Sequence, residues 1–184
     1  MQKLFLVIGV KKLVWLSVLF LLLTFPALAQ SDYRADGFVG YSFLRNEGTS
    51  QSVNTNGWHG GISADFVKGF GFAVEVSGHY GSLTQYTVLA GPRFTLSGNR
   101  ASVFSQFMVG FANLRGNLQE FGVPPENKSK TFRVESFGGG LDIHLNKKFA
   151  VRVFQADIIF NHPIPGRTDM NIRLSSGIVY RFSK

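Results

Sequence analysis

From Val39 to Phe182 the chain keeps returning to one pattern, an apolar side chain on every second position with a small or polar one between. FGFAVEVSGHY is the clearest case. Phe70, Phe72, Val74, Val76, Gly78 and Tyr80 fall on one side, and Gly71, Ala73, Glu75, Ser77 and His79 on the other. Trp58 to Phe66, Tyr86 to Phe94, Val103 to Phe111, Phe137 to Ile143 and Ile172 to Phe182 alternate in the same way, as does the first run, Val39, Tyr41, Phe43 against Phe38, Gly40, Ser42. A repeat of two is the signature of a β-strand with two chemically different faces. No convincing 3.6-residue periodicity appears after residue 30.

The pattern predicts about eight strands of roughly ten residues, the length that crosses a bilayer at a tilt. Their connections alternate. Lys68-Gly69, Ser97-Gly98-Asn99 and Asn146-Lys147-Lys148 read as tight turns. NEGTSQSVNTN, RGNLQEFGVPPENKSK and NHPIPGRTDM read as longer loops on the opposite rim, where only the connection near Gly81 to Thr84 is short. An even count of strands leaves both chain ends on the short-turn rim, the plan of an outer-membrane barrel. The expected fold is therefore all-β: an eight-stranded antiparallel up-and-down transmembrane β-barrel.

The apolar parity carries essentially no charge, while the opposite parity holds Asp65, Glu75, Arg93, Asp142, Arg173 and Arg181 together with many glycines. Small residues suit a cramped interior, and a greasy outside needs lipid around it. Closure is required as well, because an unpaired backbone N–H or C=O in hydrocarbon costs several kcal/mol. An eight-stranded barrel is just wide enough to be filled by side chains. The expectation is a plugged polar lumen in which Arg93, Arg152, Arg173 and Arg181 pair with Asp65, Glu75 and Asp142. One segment, AVRVFQADIIF, breaks the alternation. Either a β-bulge near Val153 to Phe154 brings Arg152, Gln155 and Asp157 to one face, or Asp157 lies beyond the apolar band.

Composition narrows the setting. Charged residues make up only 16% of the 184, below the roughly 25% of soluble domains, and Phe alone supplies 19. The absence of cysteine excludes a disulfide framework and thiolate metal sites. Lys3, Lys11 and Lys12, the apolar run Leu13 to Phe25, and Ala27-Leu28-Ala29 have the layout of a cleaved secretory signal peptide. The run is shorter than the roughly 20 residues of a spanning helix. The expected division is 1–29 as leader and 30–184 as barrel, placed in the bacterial outer membrane. The net charge is +8, of which the leader lysines supply three. The remaining charges are scattered along an exported chain, which argues against nucleic acid as a partner.

The last strand ends in SSGIVYRFSK, and Ser175, Gly177, Tyr180 and Phe182 in it resemble the C-terminal assembly signal of bacterial outer-membrane barrels, with Ser183-Lys184 as a departure at the end. FGGGLDIHLNKKFAVRVFQADIIF and NIRLSSGIVYRF look like the last three strands of the outer-membrane β-barrel domain family, and Phe38 to Phe182 as a whole resembles the OmpA-like and OmpX-like small barrels. The resemblance implies a structural, adhesive or protective role without a cofactor. It implies lipid and lipopolysaccharide as surroundings, and the barrel-insertion machinery and periplasmic chaperones as partners during assembly. The extracellular partner stays unspecified. No peptidoglycan-binding domain follows Lys184, so that role is not expected.

Candidate chemistry is sparse. His59, His79, His144 and His162 are dispersed and show no metal-ligand spacing. Glu75, Ser77 and His79 share one face, the best constellation for a lipid A-modifying enzyme, although a lumen hydrogen-bond cluster explains them more simply. A soluble lipid-binding barrel is a further alternative, with its apolar set turned inward. Gly138-Gly139-Gly140 is followed by no helix and reads as close packing. Asn127-Lys128-Ser129 is a chance match to a glycosylation acceptor, PPEN marks a turn, and Lys128, Lys130 and Arg133 can meet an anionic lipopolysaccharide or a partner. The exported protein is predicted to begin at Gln30, which N-terminal mass spectrometry of envelope material checks; a chain retaining Lys11 and Lys12 contradicts it.

Overall fold

The computed structural model describes residues 34–47, 52–81, 83–116, 129–163, 166 and 168–182. The leader, Lys128 and the final Ser183-Lys184 lie outside the described residues. Eight strands follow one another: β1 (Arg34–Glu47), β2 (Ser52–Val67), β3 (Phe70–Tyr80), β4 (Leu83–Ser97), β5 (Ala101–Gly116), β6 (Ser129–His144), β7 (Phe149–His162) and β8 (Asp169–Arg181). Each pairs antiparallel with its neighbour in sequence, and β8 returns to pair with β1, so the sheet closes. Strands of 11 to 16 residues exceed the expected ten. The excess comes from the loops: Ser52 to Asn56, Ser129-Lys130 and Asp169-Met170 belong to strands and not to the connections assigned to them.

The strands are strongly staggered. A row of paired residues runs from Arg34 through Asp65, Gly71, Arg93, Gln106, Gly138, Asp157 and Arg173 to Leu44, ten positions further along β1 than its start. Such a shear fixes the tilt and the width of the cylinder. The pairing shifts between Arg152 and Gln155, so Val153 and Phe154 both point outward and Arg152, Gln155 and Asp157 all point inward. The broken alternation of AVRVFQADIIF is thus a β-bulge, and Asp157 faces the lumen.

The two faces differ as the alternation requires. Ile62, Phe72, Val74, Val76, Phe107, Phe137 and Ile178 lie exposed on the outside. Arg152 and Arg173, each 1% exposed, lie within. The interior is not polar throughout. Toward the loop end Leu44, Leu89, Met108, Phe132, Val134 and Ile159 pack into an apolar cluster that the parity of charged residues alone did not announce.

Closure depends on two glycines. Gly40 and Gly177 face each other across the β1–β8 seam, and a Cβ on either would overlap the backbone of the opposite strand. Gly40→Leu is predicted to prevent closure. On a gel run without boiling it loses the compact, faster band expected of a folded barrel; an unchanged band contradicts the seam as drawn.

Candidate functional site

The interior is built on alternate positions of every strand, and its chemistry divides by height. At mid-barrel Arg173 on β8 donates from Nη2 to Glu75 Oε2 at 2.7 Å and to Asp157 Oδ2 at 2.8 Å. Gln106 and Gln155 donate to Glu75 Oε1 at 2.8 and 3.0 Å, and Gln155 also reaches Asp157. His59 Nε2 stands 3.0 Å from Glu75 Oε2. Nearer the short-turn rim Arg152 binds Asp142 with two nitrogens, at 2.8 and 3.2 Å, and donates to Gln155 at 2.7 Å. Its guanidinium lies 4.1 Å above the Phe38 ring and 4.4 Å from that of Phe104. Arg93 also stacks on Phe104, at 3.6 Å from the ring centroid, and stays 3.8 Å from Asp142.

These side chains balance: Arg93, Arg152 and Arg173 face Glu75, Asp142 and Asp157. The balance is required, because an ion taken out of water and left unpaired costs several kcal/mol. Three more residues prolong the network toward the loops. His59 Nδ1 lies 3.1 Å from Ser175 Oγ, which is 2.9 Å from Ser42 Oγ, itself 2.9 Å from His79 Nε2. Glycine makes the room. A Cβ at Gly138 would overlap the Asp157 carboxylate, and one at Gly61 would press on Glu75. The cavity left among Asp36, Phe38, Glu75, Arg93 and Arg152 is about 10 Å3, the space of a single water.

Of the residues expected in the ionic network, Glu75, Arg93, Asp142, Arg152 and Arg173 come together. Asp65 and Arg181 do not join them. Both sit on the lumen parity at the short-turn rim, half-buried, with Arg34 and Asp36 among their charged neighbours. The tilt explains the difference, since residues of one parity are spread over the full height of the cylinder. Glu75, Ser77 and His79 do share the lumen face. The histidine next to Glu75 is nevertheless His59, from the neighbouring strand, while His79 turns to Ser42. His144 bonds Ser102 at the rim and His162 bonds Thr168 at the other end. The expected ionic set left out Gln106 and His59, while Gln155 and Asp157 enter through the bulge that was one of the two alternatives for AVRVFQADIIF. His59 shares parity with Asp65 on β2 and Gln155 with Asp157 on β7, which was the available signal, whereas Gln106 has no charged residue of its parity on β5. Among the described residues no group of His, Asp and Glu could hold a metal ion.

In the last strand Ser175 and Gly177 point inward and Tyr180 and Phe182 outward, where Tyr180 contacts Phe149 and Phe182 edge-to-face at centroid distances of 5.3 and 5.0 Å.

A closed, eight-stranded, fully antiparallel cylinder with an apolar outside and a filled charged inside is the architecture of the small outer-membrane barrels. Solved structures of that class superpose on it. Ail, the attachment invasion locus protein of Yersinia pestis, covers 83% of this chain and 100% of its own at 17% identity and a TM-score of 0.56. A second Ail structure holds the heparin analogue sucrose octasulfate. Neisserial surface protein A matches 83% of this chain and 98% of its own at 10% identity and a TM-score of 0.61. The N-terminal barrel domain of Pseudomonas aeruginosa OprF matches over the same shares at 9% identity and a TM-score of 0.50. No family model and no curated protein sequence matches the chain.

Arg173→Met leaves Glu75 and Asp157 buried without their shared cation. It is predicted to lower stability by about 3–5 kcal/mol, read as a lower urea midpoint in detergent. Adding Asp157→Asn is predicted to return part of the loss. A change of under about 1 kcal/mol for Arg173→Met contradicts the network as the main interior tie.

Proposed function

We propose that this chain is an integral outer-membrane barrel whose lumen is closed and whose work is done at its surface, through the loops at the end opposite the short turns. The observation that carries the proposal is the pairing of opposites in one closed sheet: exposed Val74 and Val76 flank Glu75, which lies buried in the lumen. A soluble carrier requires the reverse arrangement. A continuous apolar belt is not tolerated by a monomer in water, and closure leaves no sheet edge to face hydrocarbon.

The belt has an amphipathic upper border. Tyr41 donates to Asn56, and Trp58 donates to the Tyr80 hydroxyl, which stands beside Tyr86. Such rings favour the membrane–water interface. Above and beside them Arg45, Arg115 and Arg133 are exposed at the loop end, and they are suited to lipopolysaccharide phosphates or another anionic partner. The terminal strand, with Ser175, Gly177, Tyr180 and Phe182, is the segment the insertion machinery would read.

The apolar cluster and the ion pairs support a barrel without a large open pore. Enzyme chemistry is the second reading, and the Glu75–His59–Ser175 series is the observation in its favour. All three are at most 5% exposed, and a nucleophile must be reachable by its substrate, so the surface role is preferred.

Cell fractionation is predicted to place the protein in the outer membrane with a folded form that changes mobility on boiling. Planar-bilayer recording of that form is predicted to give no stable large conductance. A soluble periplasmic protein, or a steady large channel, overturns the reading. Lipid A of unchanged mass in strains with and without Ser175→Ala separates the surface role from the enzyme.

A further inference from the structure

The three short turns carry basic side chains and no acid. Lys68 lies between β2 and β3, Arg100 between β4 and β5, and Lys147 and Lys148 between β6 and β7; all four are exposed. At the closing seam Arg34 and Arg181 lie on the lumen parity, half-buried, and stand apart from this exposed set. Among the described residues the acids of this rim do not offset that set at the surface. Asp36 is buried against Arg34, 2.9 Å away, and Asp65 is turned to the lumen. Soluble surfaces normally intersperse both signs. Here the outward ring is of one sign.

The ring also has a defined depth. Phe66 and Phe70 bracket Lys68, Leu96 precedes Arg100, and Leu145 and Phe149 bracket Lys147-Lys148, all of them exposed apolar side chains. By strand rise the lysines therefore lie within about 7 Å of the apolar belt and Arg100 within about 14 Å, distances that a lysine or arginine stem can shorten by snorkelling. The β6–β7 turn is the most firmly built. Asn146 Oδ1 accepts from the backbone N–H of Lys148 and of Phe149, both at 2.8 Å, and the Lys148 carbonyl accepts from Arg181 N at 2.8 Å. Phe149, Tyr180 and Phe182 form an edge-to-face cluster at the same rim. The backbone that carries the two lysines is thus fixed next to aromatic side chains.

We propose that this rim is a collar for anionic phospholipid headgroups, with Lys147 and Lys148 forming its strongest contact. The inference rests on the membrane reading above and adds to it the lipid class that the short-turn leaflet supplies. Attraction to an anionic surface is worth about five-fold in affinity per lysine or arginine, and salt screens it.

The test uses the folded barrel reconstituted into mixed phosphatidylcholine and phosphatidylglycerol vesicles, with retained lipid read by native mass spectrometry. Wild type is expected to retain phosphatidylglycerol at least five-fold over phosphatidylcholine, and less so in 1 M salt. Lys68→Gln/Arg100→Gln/Lys147→Gln/Lys148→Gln is expected to bring the ratio close to one. Arg115→Gln/Arg133→Gln, at the other end, is expected to lower it by less than half of the drop that the quadruple variant gives. If the quadruple variant does not fold, Lys147→Gln/Lys148→Gln alone reads the same effect. Equal retention of both lipids by wild type, or an unchanged preference in the lysine variants, overturns the collar. So does binding of soluble peptidoglycan fragments that the lysine variants abolish while lipid retention stays equal. Failure of the wild type to insert into vesicles at all contradicts the membrane reading instead.

Discussion

The constraint behind the whole architecture is the backbone itself. Every peptide group is a donor and an acceptor, and a chain whose side chains turn outward to hydrocarbon has no water to complete the set. A helix meets this demand within one segment; a sheet meets it only by closing. The β1–β8 seam is therefore the contact on which the remainder depends, and Gly40 and Gly177 sit opposite each other there because the two backbones come too close for side chains. Once the sheet is closed, strand alternation follows without further choice. One face of each strand is outside and the other is inside, along the full length of the tilted cylinder.

Closure creates a second demand, since a cylinder of eight strands encloses a volume that must be filled. This chain fills it in two ways. The loop half takes Leu44, Met108, Phe132 and Val134, an ordinary apolar packing. The middle and the short-turn half take three arginines and three carboxylates, with Gln106 and Gln155 completing the hydrogen bonds. Paired ions are weaker as a source of stability than well-packed hydrocarbon, and much costlier to break by halves. Their virtue is directional. Arg173 reaches both Glu75 and Asp157, from different strands, and so fixes the stagger between strands distant in sequence. That Gly138 is required to leave space for Asp157 ties the backbone to the same network.

Much of this was legible in the order of residues. The period of two gave the strands, and tight turns such as Lys68-Gly69 gave the hairpins. The charge-free parity told outside from inside. Three things were less so. Strand ends extended into segments rich in Ser, Thr and Asn because polar residues pair as well as apolar ones once a neighbouring strand is in place, as Asn54 and Asn56 do on β2. Partner choice in the lumen depends on shear, a property of the closed sheet that no single strand encodes. Glu75 therefore stands by His59 and Arg173 and not by the nearer-in-sequence His79, while Asp65 and Arg181 stay at the rim. The bulge at Val153-Phe154 was visible only as a break in parity, and pairing with β8 was needed to choose it over the alternative.

The central claim is one of orientation, and it is open to direct measurement because the chain has no cysteine to interfere with labelling. A nitroxide placed singly at Phe72, Val74 or Val76, and in separate variants at Ala73, in the vesicle-reconstituted protein would report collision with apolar oxygen and with a water-soluble nickel chelate. The account predicts high oxygen and low chelate accessibility at the three apolar positions, and low accessibility to both at Ala73. Chelate reaching Phe72, Val74 and Val76 more readily than oxygen does would contradict it.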